Sequence, residues 1–244
     1  MMDLLVCLWD EANPRTLDAG KRQRHLMDHD LILSKGHSVP ALYALAQVSG
    51  LLALENAAAG LRQLGSPLQG HPDTRFLPWL GTSSGSLGQG LSFACGLALG
   101  AKMSELSRKT FVILGDGELQ EGQVWESFLF AAHHQLSNLV AVVDRNMLQS
   151  DSSTEDIMSL EPLSNKFVAF GWHVLEVDGH DVVEIRRSLE KAHLEKGRPS
   201  VIIANTVKGK GVSFMENEPA WHGSVAMSET EYRLALGEIA QGRR

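Results

Sequence analysis

Residues 110–146 read TFVILGDGELQEGQVWESFLFAAHHQLSNLVAVVDRN, and this stretch decides the fold. The run 110–114 is β-branched and apolar and stops at Gly115. Residues 123–135 then place Val124, Phe128 and Ala131 or Ala132 at the spacing of one buried helical face. A second unbroken apolar run, 139–143, stops at Asp144. Strand, helix and strand in that order make a parallel pair. Strands without polar alternation imply cover on both faces. The pattern continues downstream. Residues 162–170 read as a short helix with Phe167 and Phe170 as its apolar points, and 174–177 as a third strand closed by Asp178-Gly179. Residues 182–194 form a helix with a charged face (Glu184, Arg186, Arg187, Glu190, Lys191), and 200–207 a fourth strand. The expectation is an α/β fold, a doubly wound parallel sheet with helices on both faces.

Outward from this centre the order is less regular. Segments 37–46, 41–54 and 55–64 carry apolar residues at helical spacing, 65–81 is loop-rich, and a glycine turn at 85–90 opens onto a helix over 91–103. After Gly209 the chain is irregular until Ser228, which caps a last helix running to Ala240. With no repeat, low-complexity tract or linker before about residue 208, residues 1–244 are expected to form a single domain with an irregular tail from about 209. The apolar stretch 3–9 opens with no capping residue before it.

Composition narrows the function classes. Twenty-two Lys+Arg against 29 Asp+Glu give a net charge of −7, so no overall basic field favours nucleic acid. No apolar run reaches a membrane span, and Asp3 stands where a secretion signal carries basic residues, which points to a cytoplasmic protein. Cys7 and Cys95 lie in apolar surroundings without metal spacing and read as reduced core residues.

In an open parallel sheet ligands bind beyond the carboxyl ends of the strands. Gly115-Asp116-Gly117 follows one strand and Asp144-Arg145-Asn146 ends the next, so Asp116 and Asn146 converge on one crevice. A carboxylate and an amide oxygen suit Mg²⁺ or Ca²⁺, and two protein ligands leave room for the oxygens of a diphosphate. In isolation Gly-Asp-Gly is an ordinary tight turn; the strand before it and the polar cluster at the next strand end favour the site. The cluster Gly85-Ser86-Leu87-Gly88-Gln89-Gly90 matches no nucleotide motif, yet it sets a helix N-terminus beside any ligand there. Of ten histidines, His25, His29, His133, His134, His173 and His193 read as surface or packing residues. His37, His71 and His222 lie in glycine-bearing loops that suit proton transfer or anion contact; His180 reads equally well as a turn residue.

These motifs carry a resemblance. SKGH at 34–37, QGHP at 69–72, GSLGQGLS at 85–92, GDGELQEGQVWES at 115–127, VDRN at 143–146, MSLEPL at 158–163, EVDGHD at 176–181, TVKGKGVSFMEN at 206–217 and WHG at 221–223 resemble the N-terminal part of transketolase along nearly the whole chain. The Gly-Asp-Gly…Asn element is similar to the general thiamin diphosphate motif, and the histidine stretches narrow the likeness to transketolases, especially bacterial ones split into two polypeptides. The resemblance implies the thiamin diphosphate-binding fold and roles for single residues. Asp116, Asn146 and the Leu148 carbonyl would ligate Mg²⁺, for which Ca²⁺ or Mn²⁺ could substitute. Gly117 and the Gly85-Ser86-Leu87 turn would line the cofactor, and Lys35, His37, Lys208 and His222 would surround its diphosphate and thiazolium. His71 and His222 would face the sugar, His71 also touching the cofactor, and His37, His71 and His222, with Glu121 and Glu126, would serve catalysis. Glu121 and Glu126 would communicate with the opposite active site, or else be ordinary exposed helix charges.

The implied activity is transfer of a two-carbon ketol unit from a ketose phosphate to an aldose phosphate, in the pentose phosphate pathway or on unusual sulfonated or branched sugars. Family members carry a Ser-Gly-His-x-Gly-Gly stretch before the position of Met1 and a pyrimidine-binding domain after that of Arg244. The resemblance therefore implies a C-terminal transketolase subunit as partner, in a dimer of heterodimers. Two rival readings are the thiamin-binding subunit of a 2-oxo-acid dehydrogenase, against which SKGH, QGHP and WHG argue, and a non-catalytic remnant.

Overall fold

The computed structural model describes residues 1–12, 29–52, 57–223 and 225–242. His25, residues 53–54 of the helical stretch read at 41–54 and residues 55–56 of that read at 55–64 lie outside them. The strands are β1 (Asp30–Leu33), β2 (Thr110–Gly115), β3 (Leu139–Arg145), β4 (His173–Asp178) and β5 (Ser200–Asn205). They form one sheet in the order β1-β2-β3-β5-β4, parallel throughout. The helices are α1 (Met2–Ala12), α2 (Val39–Val48), α3 (Ala57–Gly60), α4 (Gln89–Met103), α5 (Gly122–His133), α6 (Thr154–Met158), α7 (Leu163–Ala169), α8 (Val182–Leu194) and α9 (Glu229–Ala240).

The continuous apolar strands separate into two cores because successive side chains point to opposite faces. Phe111, Ile113, Val140, Val142 and Ile202 pack with α1, α2 and α8. Val112, Leu114, Ala141, Val143, Val201 and Ile203 pack with α4, α5 and α7. Helices thus cover both faces, as the unbroken apolar runs require. The second core centres on Phe128, whose ring lies 4.7 Å from those of Phe167 and Trp172. Both cysteines are free and buried.

Four elements differ from expectation. α2 stops at Val48, before a turn with Gly50 at a φ of +69°, instead of continuing toward 54. Among the described residues of the stretch read at 55–64, α3 keeps only Ala57–Gly60. Two further elements are short ones that the sequence pattern does not show. β1, at one edge of the sheet, and α6 are too short, at four and five residues, for periodicity to reveal them. The expected glycine-turn helix begins at Gln89, and the last helix is capped by Ser228 in a capping box with Glu231. No helix among the described residues is long and apolar enough to cross a membrane.

Candidate active site

Parallel strands share one carboxyl-end rim, and register aligns its members: Gly115 lies beside Asp144, and Arg145 beside Asn205. A cavity of about 920 Å³ opens there, lined by Lys35, His37, Asp144, Asn146, His180, Thr206, Lys208 and His222, among others. A second cavity of about 170 Å³ shares Lys35, His37, Asn146 and His222 and adds Leu87, Asp116, Gly117 and Leu148.

The larger cavity is rich in cations. Lys35 Nζ donates to Asp144 Oδ2 at 2.6 Å, and Thr206 Oγ1 donates to Asp144 Oδ1 at 2.6 Å. Burial works against ionisation of Asp144, but the Lys35 ammonium beside it holds the carboxyl below the ordinary range. Burial and the charge of Lys35 lower the pKa of Lys208. The rings of His37 and His222 stand 5.4 Å apart. Burial, followed by the charges of Lys35 and Lys208 and, for His37, of the other imidazole, lowers each to about 4. Both are therefore neutral at pH 7. Nδ1 of His222 is buried with no hydrogen-bond partner among the described residues. Surplus positive charge and an orphaned ring nitrogen fit an anionic ligand.

The smaller cavity supplies hard oxygens. Asp116 is 2% exposed; its Oδ1 accepts from Gly117 N–H at 2.8 Å and its Oδ2 from Met147 N–H at 2.6 Å. Burial raises its pKa against these hydrogen bonds and nearby Lys35, so a divalent cation would complete an under-compensated carboxylate. Asn146 Oδ1 accepts from Leu148 N–H at 3.1 Å, which directs its amide oxygen toward the loop. Among the described residues no three His, Cys, Asp or Glu side chains gather around one point. A cation held here would depend on amide, carbonyl and ligand oxygens, which suits a magnesium–diphosphate pair.

Sequence reasoning missed the residue that joins the loops. Glu118, 2% exposed, accepts from Ser34 Oγ, from Gly88 N–H at 2.8 Å and from Gly115 N–H at 3.1 Å. It ties the loop after β1, the glycine turn before α4 and the loop after β2 to one carboxylate. The amides of Gly88, Gly115 and Gly117 are thus engaged within the protein rather than left for a phosphate. Glycine is needed at Gly88 for its φ of +82°, and at Gly90 because a Cβ would lie 2.7 Å from Ser34 Cα. His180, read as a turn residue, lines the large cavity; its Nε2 accepts from Val207 N–H at 2.8 Å, beside Lys208. Its place after a strand-ending Asp-Gly was the available signal.

The remaining expected site residues stand apart. His71 is exposed and lines a neighbouring cleft of about 700 Å³, with its ring 3.6 Å from the position of a Gly85 Cβ. Ser86 is exposed on the turn, and Gly85 borders His71 rather than either cavity. Glu121 and Glu126 are exposed at the start and on the outer side of α5.

Comparison with known proteins places this architecture. Residues 1–237 match the family model described as transketolase, thiamine diphosphate binding domain. The chain belongs to the transketolase family. Over 209 residues it is 43% identical to the 6-deoxy-6-sulfo-D-fructose transketolase subunit SqwG of Clostridium sp. (strain MSTE9), covering 86% of this chain and 75% of that protein. It is 40% identical over 210 residues to an apulose-4-phosphate transketolase subunit from Phocaeicola vulgatus, covering 86% and 74%. Human transketolase is 41% identical over 193 residues, but these make up 79% of this chain and 30% of that one. The crystal structure of Campylobacter jejuni transketolase superposes with a TM-score of 0.86 at 29% identity, covering 97% of this chain and 37% of that one. This transketolase-family chain therefore corresponds to the thiamin diphosphate-binding part of the longer enzymes.

Proposed function

We propose that the chain, as one domain, is the N-terminal subunit of a split, cytoplasmic transketolase. It would transfer a two-carbon ketol unit from a ketose phosphate to an aldose phosphate, with thiamin diphosphate and Mg²⁺, once joined to a C-terminal subunit. The observation that carries this reading is the pair of adjoining cavities, one rich in cations and one in hard oxygens, at the carboxyl rim of the sheet. Relatives named as transketolase subunits, matched over about three quarters of their length, support the partner.

When bound, thiamin diphosphate supplies the nucleophilic carbon needed to break and remake a ketose carbon–carbon bond. The protein's share is electrostatic and geometric. Lys35 and Lys208 would neutralise the diphosphate, with Lys35 fixed by Asp144. Asp116, Asn146 and the Leu148 carbonyl would hold the cation. His37 and His222, neutral at pH 7, can each donate from one ring nitrogen and accept at the other, as proton movement at a sugar hydroxyl requires. His71 would reach the sugar from the edge of the Gly85-Ser86-Leu87 turn. Glu121 and Glu126, being exposed, would act only across a subunit interface. Donor ketoses carrying a phosphate or sulfonate are the substrates to try first, in view of the relatives' names.

The test is product analysis by mass spectrometry on the chain alone and mixed with its C-terminal partner. Two-carbon transfer should require the mixture. Turnover by the chain alone would overturn the split-enzyme reading, and decarboxylation of a 2-oxo acid in its place would overturn ketol transfer.

A further inference from the structure

Arg145 stands between Asp144 and Asn146, yet its side chain is 2% exposed and lines neither cavity. Nη1 donates to Thr154 Oγ1 at 2.8 Å and reaches Asp116 Oδ2 at 3.4 Å. Nη2 donates to Glu155 Oε1 at 2.7 Å and to Glu161 Oε1 at 2.9 Å. The intervening segment folds back on itself. Leu148 and Ser153 form an antiparallel bridge, Gln149 N–H donates to Ser152 O at 3.0 Å, and Thr154 N–H donates to Met147 O at 2.9 Å. Met147 N–H in turn donates to Asp116 Oδ2. One guanidinium therefore connects the Asp116 carboxylate to the far end of the 147–153 loop, whose near end Met147 ties to the same carboxylate; Leu148, within that loop, lines the smaller cavity.

Charge makes the arrangement specific. A lone guanidinium beside a carboxylate opposes a divalent cation at that carboxylate. Two glutamates on the far side of Arg145 more than cancel it, so the cluster of Arg145, Glu155, Glu161 and Asp116 stays net negative. Arg145 and Met147 both address Oδ2, which leaves Oδ1 with the Gly117 amide and a free lone pair.

We propose that Arg145 is a positioning residue for the divalent-cation site, orienting Asp116 and anchoring the 147–153 loop, with Glu155 and Glu161 cancelling its charge. This rests on the metal reading above, and the test separates the two. In the assembled enzyme with thiamin diphosphate, Mn²⁺ affinity is read by electron paramagnetic resonance. Amide exchange at Gly117 and residues 147–154 is read without metal. Arg145→Met should weaken Mn²⁺ at least tenfold and lose amide protection, and Arg145→Lys should restore part of both. Wild-type affinity and protection in Arg145→Met would overturn the proposal. Should Arg145→Met fail to fold, Glu161→Gln, at a half-exposed position, should leave the melting temperature unchanged while weakening Mn²⁺ severalfold; unchanged affinity would overturn it as well. Asp116→Asn is the control. If it keeps Mn²⁺, the metal reading fails, while exchange at 147–154 still reports on Arg145.

Discussion

His37 and His222 lie ring against ring in the wall of a cavity that Lys35 and Lys208 also line, and that crowding sets their protonation. Their pKa values of about 4 in the folded protein lie below the ordinary 6.5. Above pH 6.5 each ring is neutral whether folded or unfolded, and stability is unaffected. Between 6.5 and 4 the unfolded chain binds protons that the folded chain refuses, so stability falls as pH drops and the loss is complete below 4. Urea unfolding at pH 7, 5.5 and 4.5 should show this decline, and a His37→Gln/His222→Gln variant should show a shallower one. An equal slope in the double variant would mean that neither ring is held neutral by its surroundings. The acidic and amide side chains of the smaller cavity carry the opposite lesson about what single residues reveal. Asp116 and Asn146 were legible because strand ends announce them. Glu118 was not, because its partners Ser34 and Gly88 lie far away in sequence and meet it only through the fold.

At the scale of elements, α4 shows why small residues stand where they do. At Gly90 a Cβ would come within 2.7 Å of the Ser34 backbone, whereas at Gly96 nothing lies within 4 Å. Gly90→Ala should therefore cost roughly 1–3 kcal/mol by overpacking. Gly96→Ala should gain roughly 0.5–1 kcal/mol by relieving the helix of glycine's backbone entropy. Denaturant midpoints measure both, and equal effects would contradict the contact geometry. Gly209 obeys a third rule. Its φ is +75° and a Cβ would meet Met215 O at 2.3 Å, so Gly209→Ala should lose stability and displace the Lys208 loop together. Of the elements themselves, β2, β3 and β5 were readable because burial on both faces leaves an unbroken apolar run. β4 was readable despite being only partly covered, since Asp178-Gly179 marks its end. β1 was hidden: Asp-Leu-Ile-Leu is too short to show a period, and its identity as a strand comes from pairing with β2, about eighty residues away.

Across the whole molecule, the two cores meet at the sheet, and the candidate site is assembled from loops that belong to both. Ser34, Lys35 and His37 connect β1 to α2, on the side of the first core. Glu118 and Asp116 lie between β2 and α5, on the side of the second. Sequence motifs named most of these residues, but not the network that ties them, because hydrogen bonding among strand ends depends on sheet order rather than on local pattern. A ligand spanning such loops stabilises everything they join. By mass action, Mg²⁺ and thiamin diphosphate at a hundred times their dissociation constant should add about 2.7 kcal/mol. For a domain of this size that raises the melting temperature by roughly 5–10 °C. Scanning calorimetry of the assembled enzyme should show this rise with both ligands present. Chelating the metal with EDTA should remove most of it if, as proposed, Asp116 and Asn146 hold the diphosphate through a cation. Asp116→Asn should abolish the rise. A shift that survives both EDTA and Asp116→Asn would place the binding energy in the Lys35–Lys208 cavity alone and remove the cation from the account.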